Sequence, residues 1–135
     1  MMTFLADNNF PVLAANLATI LLGLFMGAQL LLALGILPIT MAWGGRQTEL
    51  TPGLRVASLA AILVLGVFIY IVRYRAGLVG SVPTPTTIGV LAWVVTGFMA
   101  LNTLGNFASL SRTERWLFGP VTLMITAASL IVAVS

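Results

Sequence analysis

Three carboxylates carry all the acid–base capacity that this sequence offers at neutral pH. Asp7, Glu49 and Glu114 lie far apart, and no spacing pairs any of them with a second catalytic group. Neither Cys nor His occurs. That absence excludes a thiol nucleophile, an imidazole base, a bis-histidine haem and the usual zinc sites. No catalytic residue, metal, cofactor or nucleic-acid partner is therefore expected. The six cations are all arginine, whose guanidinium groups suit lipid phosphates.

Polar chemistry gathers instead in LNTLGNFASLSRTERWLFGP, residues 101–120. Asn102, Asn106 and Ser109 are spaced i, i+4, i+7, within about 60° of one another on a helix face. Thr122, Thr126 and Ser129 repeat that spacing. Two uses fit these residues. In the first, they build a corner between two helices. The asparagines tie the helices together, and SRTE forms a capping box. Ser111 then accepts from the amide of Glu114, and Glu114 reaches back to the amide of Ser111. In the second, the amides face a small wet vestibule below Arg112 and Arg115, suited to an anion or a lipid headgroup. Pro120 leaves the carbonyl of Trp116 without its helical donor and should bend the segment that follows. The corner is the simpler use and is the one expected.

Two more features stand out. Gln29 is the only large amide deep in an apolar stretch. An unpaired amide in hydrocarbon costs several kcal/mol, so Gln29 should face protein or trapped water, ordinarily bonded to a neighbouring helix. Thr19, Gly23 and Gly27 are spaced i, i+4, i+8 and contain a GxxxG. Small residues on one face admit a second helix backbone, expected to come from the same chain, with another copy as the alternative.

The elements that position these residues follow from composition. Of 135 residues, 60% are hydrophobic and 7% charged, with net charge +3. Soluble domains carry about 25% charged residues, so the solvent around most of this chain must be lipid. Four apolar stretches, 12–37, 54–72, 88–108 and 117–134, each approach the roughly 20 residues that span a bilayer. The expected fold is an all-α integral membrane protein. It forms one domain over 1–135, a four-transmembrane-helix bundle running up-down-up-down with short loops. The first stretch is too long, and lacks the basic start, to be a cleaved signal peptide.

Thr51 and Pro52 read as a cap and first helical residue, and Thr84 and Pro85 as a second such pair. Trp43, Tyr70, Tyr74 and Trp116 lie near span ends, where interfacial aromatics sit; Trp93 lies deeper. Loops one and three carry Arg46, Arg55, Arg112 and Arg115, whereas the other side carries Arg73 and Arg75. Arginine asymmetry places loops one and three in the cytoplasm and both termini outside, most simply in a bacterial inner membrane.

No span interior holds a titratable residue, which argues against a proton-coupled carrier or a voltage sensor. Small multidrug exporters share this size and span count but rely on an acidic residue in the first helix, which this chain lacks. The function expected is a non-catalytic accessory, assembly or helix-packing subunit. Its partners would be membrane lipids and other transmembrane helices, its own or those of a larger complex. The alternative is a small oligomeric channel or carrier for an uncharged or anionic solute, using Gln29, Asn102 and Asn106.

Overall fold

The computed structural model describes residues 9–135, so Asp7 lies outside the described residues. Four long helices follow one another: α1 (Phe10–Ala33), α2 (Pro52–Arg75), α3 (Thr86–Phe107) and α4 (Gly119–Val134). A π-turn over Glu114–Phe118 leads directly into α4. Among the described residues these segments are long and apolar enough to cross a bilayer. Helices of 22 to 24 residues reach about 33–36 Å, against roughly 30 Å of hydrocarbon. The chain is an integral membrane protein folded as an all-helical four-helix bundle.

The helix ends obey local chemistry. The Thr51 hydroxyl accepts from the amide of Leu54 at 3.2 Å, and Pro52 takes the first helical position. α1 stops at Ala33, four residues short of the 37 expected from hydropathy. Gly35 adopts φ +78, and the amide of Ile36 turns back to the carbonyl of Leu31 at 2.9 Å. This is the glycine-terminated helix end, and Pro38 follows it. The carbonyl of Ala33, left free by that stop, accepts from Arg55 Nη1 at 2.9 Å. Thr84 does not cap α3, contrary to the expectation. Pro85 is extended (ψ 147) and occupies the cap position itself, its carbonyl accepting from Ile88 and Gly89, so the helix begins one residue later. α3 ends at Phe107, which leaves Ser109 in the turn beyond it.

Packing is inverted relative to a soluble bundle. Leu24, Leu63, Leu101 and Leu104 point outward, whereas Ser58, Thr103, Thr122 and Ser129 are buried among Ala15, Ala18, Val95 and Ile125. Lipid supplies no hydrophobic force between helices, so small residues and polar contacts hold them together. α1 packs on α2, α3 packs on α4, and α1 joins α4. α2 and α3 meet more sparsely, with Phe68 and Phe98 edge to face at 5.0 Å between ring centres.

Each end of the bundle is tied. At the end near the termini, Arg73 Nη1 donates to Asn16 Oδ1 (3.0 Å) and Thr19 Oγ1 (3.3 Å), and Arg75 Nη2 donates to the main-chain oxygen of Ser135 (2.9 Å). At the other end, loop one closes on loop three. The amide of Leu110 donates to the carbonyl of Gly44 (3.1 Å), and the Ser111 hydroxyl donates to the carbonyl of Met41 (2.9 Å). Gly45 has φ +74, and a Cβ there would stand 2.5 Å from the backbone nitrogen of Ser111. Only glycine admits this approach.

Gly45→Ala should therefore lower stability more than Gly77→Ala. Gly77 has a similar φ of +81 but open space around it. Thermal unfolding in detergent should show about 1 kcal/mol lost at Gly77 and a further 1–3 kcal/mol lost at Gly45. Equal losses would mean that the loops do not touch there.

Candidate functional site: a two-chambered crevice

The polar stretch divides into a satisfied part and an unsatisfied part. Glu114 belongs to the first. Half of the expected capping box forms: Ser111 Oγ accepts from the Glu114 amide at 3.3 Å. The other half does not. The amide of Ser111 donates to Ser109 Oγ at 3.0 Å, which frees the Glu114 carboxylate. Its Oε1 instead accepts from the Ser109 hydroxyl (2.6 Å) and from the Gly44 amide across the bundle end (2.9 Å). The residue thus bridges loop three to loop one, through charge-assisted hydrogen bonds of the strong kind.

Asn106 also has a partner within the fold. Its Nδ2 donates to Thr122 Oγ1 at 3.2 Å, tying α3 to α4. One turn deeper, the Thr103 and Thr126 hydroxyls pair at 3.2 Å. Thr122 also bonds back to the carbonyls of Phe118 and Gly119, and Thr126 to that of Thr122. Pro120 acts through the π-turn before it. The amide of Gly119 reaches back five residues to the carbonyl of Glu114, a wider winding that accommodates the proline ring and its missing N–H. A Cβ on Gly119 would stand 2.9 Å from the ring of Phe107, so α3 and α4 nearly touch at this point.

Gln29 and Asn102 are different. Gln29 Oε1 is buried and has no hydrogen-bond partner among the described residues, which departs from the helix-to-helix bond expected of it. Asn102 is exposed to the space between the helices and likewise makes no side-chain hydrogen bond to a described residue. Both residues line two adjoining chambers, together with Phe25 and Trp43. The first chamber, about 350 Å³, is the more polar and includes Gly44, Asn106 and Glu114. The second, about 280 Å³, is walled by Ala57, Ala60, Ala61, Val64, Phe98 and Met99. It opens where α2 and α3 separate.

Trp43 lines both chambers from loop one with φ +53, a left-handed conformation rare for an aromatic residue. Neither Arg112 nor Arg115 lines either chamber, so the arginines of the alternative vestibule are not part of these walls. Among the described residues, no three Asp, Glu, His or Cys side chains gather as metal ligands.

The glycine face lies elsewhere. Gly23 and Gly27 are exposed, and a Cβ on either would meet nothing within 4 Å. This corrects the expectation of contact with a helix of the same chain: α1 packs internally through Ala15, Ala18 and Leu22 instead. Thr19 donates to the carbonyl of Ala15 at 2.7 Å and accepts from Arg73. Sequence reasoning missed Trp43 and Phe25 as site residues. The WGG at 43–45 was the available signal, because paired glycines after an aromatic mark a loop folded tightly against something.

No family model, curated protein or solved structure matches the chain. Its class is set by the fold alone: a four-span integral membrane protein with a crevice between three of its helices.

The two asparagines should respond oppositely to substitution. Asn106→Leu should cost about 1–2 kcal/mol by removing the α3–α4 bond from a buried site. Asn102→Leu should leave the unfolding temperature in detergent unchanged or raise it, since no bond is lost. Equal destabilisation by both would place Asn102 in the same packed corner as Asn106.

Proposed function

We propose that this protein is a non-catalytic membrane subunit that associates with other transmembrane helices, of its own kind or of a larger complex, through the glycine face of α1. The observation that carries this reading is the open ground at Gly23 and Gly27. The internal contacts of α1 use alanines, so the GxxxG is left over from the packing of the chain. In lipid, such a face gains from van der Waals contact with a second helix backbone. The reading predicts a separation of effects. Gly27→Leu should leave the unfolding of the monomer unchanged, because nothing in the chain lies near it, yet shift the particle to smaller size in mild detergent. Gly23→Cys, in a chain with no native Cys, should form intermolecular disulfides in membranes. Wild-type size for Gly27→Leu together with no crosslinking would refute the reading.

A second reading, a small oligomeric channel or carrier for an uncharged or anionic solute, is favoured by the crevice and its carboxamides, which have no partner among the described residues.

We place the protein in a bacterial inner membrane with loops one and three in the cytoplasm and both termini outside. The support is the arginine excess at the clasped end, where Arg46, Arg55, Arg112 and Arg115 lie. Thr48→Cys and Val82→Cys sit at exposed positions in loops one and two. In intact cells an impermeant thiol reagent should label position 82 and spare position 48. The reverse pattern would invert the topology.

A further inference from the structure

Unpartnered amides at membrane depth are expensive, and the crevice holds two. Neither Gln29 nor Asn102 has a side-chain hydrogen bond to a described residue, although the Nδ2 of Asn106, one turn from Asn102, does. A carboxamide offers both a donor and an acceptor, so a hydroxyl placed between two of them satisfies one with its proton and the other with its lone pair. Gln29 and Asn102 line both chambers and so stand where the polar and apolar spaces adjoin. A ligand seated there would have its polar group at that junction and its apolar body among Ala57, Ala60, Ala61, Val64 and Phe98.

Size limits the body. An apolar cavity of about 150 Å³ holds a benzene ring. The second chamber, near 280 Å³, therefore suits a body of one to two fused rings or a short branched chain. Charge is limited from both sides. Among the described residues Glu114 is the only ionisable one on the chamber walls, and it disfavours an anion. Four arginines face two glutamates at that end of the bundle, counting Glu49 with Glu114, and this excess disfavours a cation. We infer that the crevice is a binding site for an uncharged compact amphiphile that presents a hydroxyl to Gln29 and Asn102 and lays an apolar ring-sized body between α2 and α3 under Trp43. The proposal deepens the second reading above and does not depend on the glycine face: particle size tests the glycine face, and ligand binding tests the crevice.

The test uses the purified protein in detergent and four probes sharing one body: 2-(1-naphthyl)ethanol, 1-ethylnaphthalene, 2-(1-naphthyl)ethylammonium and 1-naphthylacetate. Calorimetric titrations are corrected against protein-free micelles. The alcohol should bind about tenfold more tightly than the hydrocarbon, and more tightly than either ion. Gln29→Leu and Asn102→Leu should each weaken the alcohol about tenfold and leave the hydrocarbon within about twofold. Neither variant removes a bond within the fold, and an unchanged unfolding temperature checks that each is intact. Should either fail to fold, the probe series on the wild-type protein still decides.

Any of these outcomes overturns the proposal: the hydrocarbon matches the alcohol, either ion binds most tightly, Gln29→Leu or Asn102→Leu leaves the alcohol unaffected, or no probe binds at all. Dioleoylglycerol carries a hydroxyl on a two-chain lipid body. Its binding in place of the naphthyl alcohol would overturn the assignment of a compact body.

Discussion

The shape of this bundle depends on one carboxylate. Two helical hairpins, α1–α2 and α3–α4, are joined along α1 and α4 and meet only sparsely between α2 and α3. At the open end they are held by Glu114, which takes the Gly44 amide from one hairpin and the Ser109 hydroxyl from the other at 2.9 and 2.6 Å. Beside it, the Leu110–Gly44 and Ser111–Met41 bonds and the bare backbone of Gly45 close the gap. With these contacts made, Trp43 is set on the wall of both chambers.

The polar groups sort by the same rule. Where hydrocarbon surrounds the protein, a donor or acceptor needs a partner within the fold. Asn106, Thr103, Thr122 and Thr126 have one. Arg55 covers the end of α1, and Arg73 covers Asn16 and Thr19. Against this background Gln29 stands out, because its buried oxygen has no partner among the described residues and its side chain lines both chambers. The Ser58 and Ser129 hydroxyls are also unpaired, yet both are sealed inside helix contacts and line none of the chambers described.

Much of the fold was legible in the sequence, since apolar length alone defines four spans. Thr51–Pro52 marked the start of α2 because that signal is local. The end of α1 was misread because hydropathy runs on through Ile36 and Leu37, while Gly35 had already stopped the helix. The candidate site was legible only in part. Gln29, Asn102 and Asn106 were conspicuous as amides in an oily chain. What separates them is tertiary: Asn106 faces α4 and Asn102 faces the gap. Ser111 and Glu114 carried a capping pattern, but nothing local reveals that a loop 70 residues away supplies a better donor for the carboxylate. The GxxxG was visible too, and no periodicity could say that it faces away from the rest of the chain.

The π-turn before α4 has a consequence for how this end of the molecule tolerates change. Winding by five instead of four inserts one residue into the turn. Everything upstream is rotated by about 100° relative to an uninterrupted helix. The direction in which Glu114 points is therefore a matter of phase as well as of residue type. Substitutions along 114–118 alter side chains and preserve that phase. A single deletion there would keep nearly every residue, straighten the helix and swing the carboxylate away from Gly44. In this segment the number of residues carries information that their identities do not.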